Sequence, residues 1–139
     1  GDVGELDASG IRKSGRVHAG RVHEFAQRVL PHNVLNERAA LASHGTAHVV
    51  VPVDDRGRLA GAVALATRGV VDEVLDEPLL AAARTEAAAA VEELADCARG
   101  DIVDEPAVAE AARQAIRRAL GRVLRFKPVT TVTVLRVRQ

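Results

Sequence analysis

The tripeptide Asp-Glu-Pro occurs twice, at residues 76–78 and 104–106, and each copy precedes a long stretch whose apolar residues recur at helical spacing. Aspartate before a helix accepts hydrogen bonds from free amides, and proline is tolerated in the first turn because its missing N–H would have no partner there. We therefore predict helices over residues 79–99 and 107–125. The predicted buried stripes are Leu80, Ala83, Ala87, Val91, Leu94 and Ala98 in the first helix, and Val108, Ala112, Ala115, Ile116, Ala119, Leu120 and Val123 in the second.

Two runs of alternating apolar residues predict β-strands, over residues 46–54 and 58–67. The sequence DDRG at residues 54–57 predicts a turn between them, so the two runs should form an antiparallel hairpin. Residues 129–137, rich in Val and Thr, predict a closing strand. The order strand, strand, helix, helix, strand predicts an α+β fold, a two-layer sandwich in which two helices cover one face of a three-stranded sheet. The predicted inward residues of the first run are Ala47, Val49, Val51 and Val53.

The first 45 residues are less regular. Residues 3–6 and 11–17 predict an N-terminal β-hairpin, closed by a loop that ends at glycine. Residues 24–30 are compatible with a short helix that proline ends at position 31. A second short helix is predicted over residues 37–43, with Asn36 as its N-cap and Gly45 as its end.

The composition is that of a globular domain, with 47% hydrophobic residues and 19 basic side chains against 19 acidic ones. A net charge of zero gives no general argument for nucleic-acid binding. No run approaches the ~18 apolar residues that a membrane span requires, so no membrane partner is expected. A chain that begins at Gly1 and has no methionine is expected to be an excised domain or a processed fragment. A single cysteine points to a reducing, cytoplasmic compartment.

Few residues suggest catalysis. Cys97 is predicted to pack on its alanine-rich helix. His44 and His48 have the spacing of a helical pair, but Gly45 interrupts the helix between them, so a shared metal is not expected. Neither a Gly-x-Ser-x-Gly turn nor a glycine-rich phosphate loop is present, and we assign no catalytic and no metal-binding residue. The five histidines, all predicted to be solvated or hydrogen-bonded, are His18, His23, His32, His44 and His48.

Charge is distributed unevenly along the chain. Residues 76–99 carry six acids and two arginines, whereas no acid follows residue 111. The cations of this last stretch either stabilise the end of the second helix and pair with the acidic first one, or form a surface for RNA phosphates or a protein partner. The candidate RNA- or partner-binding residues are Arg113, Arg117, Arg118, Arg122, Arg125 and Lys127.

Four stretches together resemble the C-terminal end of bacterial ribonuclease J, a metallo-β-lactamase/β-CASP nuclease. They include the hairpin from GDVGEL to GRVHAGRV, although that family usually has proline where His18 stands. VLNERAAL at residues 34–41 resembles the connector into the accessory domain. VVVPV and LAGAVALATRG resemble its first hairpin, with Thr-Arg-Gly near the family's Ser-Arg-Gly. The Asp-Glu-Pro helices and the strand after Pro128 resemble the remainder.

The resemblance implies that residues 1–35 are the hairpin and connector at the end of the nuclease core, and that residues 36–139 are the accessory α+β domain. In this family two metal ions, Zn or Mn, activate water against an RNA phosphodiester. Their ligands lie in an upstream His-x-His-x-Asp-His run that matches no position here, so the resemblance implies no cofactor in this chain. The chain would support the nuclease core, form a homodimer and meet RNA through a parent enzyme that is a metal-dependent hydrolase.

Two other functions remain open from the sequence. A free-standing RNA-binding or protein-interaction module would bind RNA with an affinity that falls steeply with salt. An independent hydrolase would need a metal held by the histidines.

Overall fold

The structure is a computed structural model of the 139-residue chain. It describes the backbone of residues 2–7, 10–16, 24–25 and 28–138, and the side chains of residues 28–138. The chain forms two compact units, Gly1–Leu35 and Asn36–Gln139. In chain order the elements are β1 (Asp2–Asp7), β2 (Gly10–Arg16), β3 (Glu24–Phe25), β4 (Arg28–Val29), α1 (His32–His44), β5 (Thr46–Val53), β6 (Ala64–Arg68), α2 (Glu77–Cys97), α3 (Glu105–Leu124) and β7 (Val129–Arg136).

The N-terminal unit contains two hairpins. Strands β1 and β2 pair antiparallel, which confirms the predicted hairpin, while positions 8 and 9 of its loop lie outside the described residues. The helix expected over residues 24–30 is wrong, because β3 and β4 pair as a second, very short hairpin. Proline at position 31 would limit a helix here to seven residues, too few to offset the cost of helix nucleation.

Helix α1 begins earlier than predicted. Its first residue is His32, directly after Pro31, whose carbonyl accepts a hydrogen bond from the Val34 amide at 3.0 Å. Asn36 is therefore an interior residue and its predicted N-cap role is wrong. Gly45 ends the helix as expected, at a φ of 68°. None of the 13 residues of α1, all of them described, is buried within this chain.

The sheet has the order β6-β5-β7, with β5 in the centre. Strand β5 pairs antiparallel with β6, as the predicted hairpin requires, and parallel with β7. Strand β6 is shorter than predicted, since residues 58–63 contribute only the isolated bridge between Val53 and Leu59. The pairing is interrupted after Ala60, whose amide donates to the Pro52 carbonyl at 2.9 Å. The Leu59 amide points away from β5 and donates to Oε1 of Glu92 on α2 at 2.8 Å.

Helices α2 and α3 form the second layer, which confirms the predicted α+β fold. The inward residues of β5 and nearly all of the predicted helical stripes are buried. Three positions differ: Leu94 and Ala98 are only half-buried because Ala95 takes the inward place, and Val123 is 62% exposed. The buried helical residues are Leu80, Ala83, Ala87, Val91 and Ala95 in α2, and Val108, Ala112, Ala115, Ile116, Ala119 and Leu120 in α3.

The two Asp-Glu-Pro copies do not cap their helices in the same way. Asp104 has the extended backbone of a regular N-cap, and its carboxylate accepts the Ala107 amide at 2.9 Å. Asp76 lies in a turn and its side chain accepts no amide of α2; it accepts the Asp72 amide instead, at 3.3 Å. The predicted shared capping is therefore correct for α3 and wrong for α2.

Candidate anion-binding site

Five of the six predicted cationic residues line one depression of about 560 Å³ on the surface of α3. Arg125, the sixth, does not line it. Arg125 follows the last helical residue and has a left-handed φ of 60°, so the chain leaves the helix at this point. The lining residues are Arg113, Gln114, Arg117, Arg118, Gly121, Arg122 and Lys127.

The depression follows from the residue spacing on α3. Residues four apart in a helix are neighbours on its surface, with Cβ atoms ~5–6 Å apart. Two such rows lie side by side, one containing Arg113 and Arg117 and the other Arg118 and Arg122. The first row ends at Gly121, which has no side chain and also lines the depression.

Lys127 reaches the depression from outside the helix. It lies in the short connection between α3 and β7, and its aliphatic stem passes over Gly121. A Cβ atom on Gly121 would lie 3.3 Å from Cγ of Lys127 and 3.5 Å from its Cε. The glycine therefore lets the lysine stem approach the helix.

Two of the five cations have carboxylate partners. Arg113 donates to both oxygens of Glu110, one turn earlier on α3, at 2.7 and 2.6 Å. Arg122 forms an ion pair with Glu86 of α2. Pairing between the acidic and basic helices, one of the two interpretations of the charge pattern, thus holds for Arg122.

The other three cations of the depression are not held in this way. Within residues 28–138, no carboxylate forms an ion pair with Arg117, Arg118 or Lys127. Nε of Arg117 is buried and makes no hydrogen bond to any described residue. Buried N–H groups in proteins nearly always have an acceptor, so this donor is an exception among the described residues.

Not every cation of the acid-free stretch is free to bind a ligand. Arg136 on β7 donates to Glu105 at 2.8 Å and to the carbonyls of Asp54, Asp55 and Val103 at 3.1–3.3 Å. These bonds tie the start of α3 and the β5–β6 turn to the end of β7. We assign Arg136 a structural role.

The Glu110 carboxylate lies beside the depression. Hydrogen bonds from Arg113, and secondarily from Gln114, lower the pKa of Glu110 from 4.5 to about 2. Desolvation of Glu110 raises its pKa, but by less than these hydrogen bonds lower it, and the charge of Arg117 lowers the pKa further. Glu110 therefore stays ionised through the neutral and mildly acidic range and holds Arg113 at the rim.

This pKa shift predicts a pH-dependent contribution to stability. A carboxyl whose pKa is lowered by folding stabilises the protein above its unfolded-state value, and that stabilisation is lost as the pH falls through the folded-state value. Glu110→Gln should therefore have a lower melting temperature than the wild type at pH 6, and the gap should close between about pH 4.5 and pH 2. Because Glu110 is exposed, the gap will be small. Thermal unfolding followed by circular dichroism across this range measures it; a gap that persists unchanged at pH 2 would contradict the assignment.

Within residues 28–138, the residues considered for catalysis are not gathered into a site. Cys97 is the last residue of α2 and is exposed, so its predicted packing is wrong. Nδ1 of His48 lies 2.8 Å from Oγ1 of Thr131, across the pairing of β5 with β7. The ring of His44 lies 6.0 Å from that of Phe126. In the part of the chain whose side chains are described, no three His, Cys, Asp or Glu residues are placed to hold a metal ion. His18 and His23 lie outside that part.

The fold and the site define an α+β domain with a basic depression on its second long helix. A family model described as the ribonuclease J C-terminal domain matches residues 33–137. The chain therefore belongs to the ribonuclease J C-terminal domain family, and the resemblance seen in the sequence is confirmed. The family supports an accessory domain of ribonuclease J. A search of the curated proteins gives no match. No helix among the described residues is long and apolar enough to cross a membrane.

Proposed function

We propose that this chain is a non-catalytic accessory domain of a ribonuclease J-type enzyme that processes and degrades RNA in the cytoplasm. Its role is to support the nuclease core by joining two copies of the enzyme through strand β7. Under this proposal, another part of the parent protein carries out the metal-dependent cleavage of RNA with Zn or Mn. The observation that carries the proposal is the difference between the two edges of the sheet.

The β6 edge is short, and it is closed at Thr67. The strand has five residues, and the outward amide of Thr67 donates to Oε1 of Glu73 at 2.7 Å. The Thr67 hydroxyl donates to the same oxygen at 3.2 Å. A carboxylate that occupies an edge amide prevents another strand from pairing there, which is a common protection of edge strands.

The β7 edge is longer and open. The amides of Val129 and Val137 donate towards the central strand at 3.0 and 2.8 Å. Because backbone groups alternate in direction along a strand, the N–H and C=O of Thr130, Val132 and Val134 face away from the sheet. Within the described residues 36–138, no group hydrogen-bonds to this side of β7.

A second copy of the chain fits this edge. An open strand rich in Val and Thr pairs readily with another strand, and pairing gives its outward backbone groups their hydrogen bonds. Two identical β7 strands related by a two-fold axis are self-complementary when they run antiparallel. The result is one continuous six-stranded sheet across the two copies.

Matched double variants test the role of β7. Thr133 and Leu135 are exposed on the uncovered face of the sheet beside the open edge, and Ala64 and Ala66 are exposed on the same face at the closed edge. Thr133→Lys with Leu135→Lys should abolish dimerisation, because like charges would face each other across the paired strands. Ala64→Lys with Ala66→Lys adds the same charge to the same face and should leave the dimer intact.

Light scattering on the purified full chain, over a wide range of concentrations, measures the outcome. The wild type and the β6-edge variant should approach twice the monomer mass, and the β7-edge variant should remain a folded monomer by circular dichroism. A wild type that stays monomeric at the highest concentration contradicts the proposal. Equal loss of dimer in both double variants also contradicts it, because the face of the sheet and not its edge would then form the contact.

A further inference from the structure

We infer that the depression on α3 is a binding site for the phosphate groups of an RNA backbone. It is formed by Arg113, Arg117, Arg118, Arg122 and Lys127 around Gly121. This inference goes beyond self-association and does not depend on it, since β7 plays no part in the depression.

The charge of the depression favours an anion with several negative groups. Five cationic side chains line it, and among the described residues only Glu110 and Glu86 pair with any of them. Four of the five are arginines, whose planar guanidinium forks match phosphate oxygens in pairs. A single small anion would engage only part of this surface, whereas successive phosphates along a strand can engage both helical rows.

Arg117 provides hydrogen-bond donors without a carboxylate partner among the described residues. Its buried Nε makes no hydrogen bond to the described residues, while its charge acts on neighbouring Glu110. Arg117 and Arg118 both line the depression and have no carboxylate partner among the described residues. A phosphate between the two rows would accept from the terminal N–H groups of both guanidinium groups.

Recognition should involve phosphates and not bases. No aromatic residue lines the depression, and the whole chain has two phenylalanines and no tyrosine or tryptophan. Sequence-tolerant proteins that hold bases use aromatic stacking. The choice of RNA over an acidic protein rests on the proposed function, in which the domain is part of a ribonuclease J-type enzyme that acts on RNA.

The test uses the full chain and a fluorescently labelled single-stranded oligoadenylate, with binding followed by anisotropy at several salt concentrations. Arg117→Gln with Arg118→Gln should weaken binding at low salt by about tenfold. The slope of log K against log salt should become shallower by about 1.4, or about 0.7 for each phosphate contact removed from a single strand. Melting temperatures of all variants establish that they are folded.

Two further variants separate a built site from diffuse attraction. Arg125→Gln removes one charge from the same end of α3 but outside the depression, and should change affinity by less than about twofold. Gly121→Ala keeps every charge, but its Cβ pushes the flexible Lys127 stem away from the helix. It should weaken RNA binding without lowering the melting temperature, because alanine is a better helix former than glycine.

Competition distinguishes the possible anions. Tripolyphosphate should displace the oligoadenylate from the wild type, which supports recognition through phosphate. Undetectable RNA binding at low salt overturns the inference. A decrease in log affinity in Arg125→Gln that equals half of the decrease in the double variant also overturns it. Binding of polyglutamate that depends on Arg117 and Arg118, in a protein that does not bind RNA, overturns it in favour of an acidic protein partner.

Discussion

Replacing Leu120 with alanine should lower the free energy of unfolding by about 3–4 kcal/mol. Leu120 is fully buried on α3 and is one of the largest side chains of the core. Its removal leaves a cavity between the two helices and the sheet, and the lost contacts add to the lost burial of apolar surface. Urea unfolding of the full chain measures the difference.

We expect the cost to lie in the middle to upper part of the range for such substitutions, because the surroundings cannot collapse into the space. The helical core is largely alanine, and alanine has no side-chain rotamer with which to fill a cavity. The buried alanines of the two helices are Ala83, Ala87, Ala95, Ala112, Ala115 and Ala119.

Leu75→Ala is the matched control, since Leu75 is 79% exposed in the turn before α2. It should change the free energy of unfolding by less than about 0.5 kcal/mol. A loss below about 1 kcal/mol in Leu120→Ala, or an equal loss in the two variants, would contradict the described packing of α3.

Replacing Gly45 with alanine should cost about 3 kcal/mol or more. Gly45 has a φ of 68°, and a Cβ atom there would lie 2.5 Å from the carbonyl oxygens of both Arg68 and Gly69. The left-handed backbone alone costs an L-residue ~1–2 kcal/mol. The remainder comes from displacing backbone at the end of β6, which cannot rotate aside as a side chain can.

Gly100→Ala separates these two contributions. Gly100 also has a positive φ, 93°, but a Cβ atom there would have no neighbouring atom within 4 Å. This variant should lose only the conformational contribution, about 1–2 kcal/mol. Urea unfolding of both variants gives the cost of the clash as their difference, and equal losses would show that the ends of β5 and β6 are not as close as described.

Local patterns predict much of this fold because the elements obey them closely. The alternation in β5 assigns its buried face correctly, and the helical stripes identify nearly all buried residues of α2 and α3. Asp104 caps its helix as its sequence context predicts. In these elements the local preference and the tertiary structure agree.

The errors arise where the local pattern does not set the end or the bonding of an element. Strand β6 begins only at Ala64, although its alternating pattern starts at Arg58. Asp76 shares its tripeptide with Asp104 but bonds to the preceding turn. Cys97 is exposed because α2 ends there, beyond the last buried residue of its stripe, Ala95. The spacing of apolar residues within each element does not predict these three outcomes.

The candidate site is partly visible in the sequence. The acid-free stretch after residue 111 identifies the cations, and helical spacing places four arginines on neighbouring rows. Two features of the site are visible only in the structure. The Lys127 stem crosses α3 over Gly121, and Arg125 lies outside the depression because the chain turns left-handed there and leaves the helix. The sequence signal for the first feature is Gly121 near the end of α3, followed by Lys127 in the next connection.

Hydrogen exchange along β7 tests the central claim, self-association through an open sheet edge, most directly. The outward amides of Thr130, Val132 and Val134 should exchange rapidly in dilute protein and slowly in concentrated protein, as pairing with a second copy protects them. The amides of Thr131 and Thr133, which face β5, should be protected at both concentrations. Outward amides whose exchange does not change with concentration, in a protein that is otherwise folded, would contradict the account.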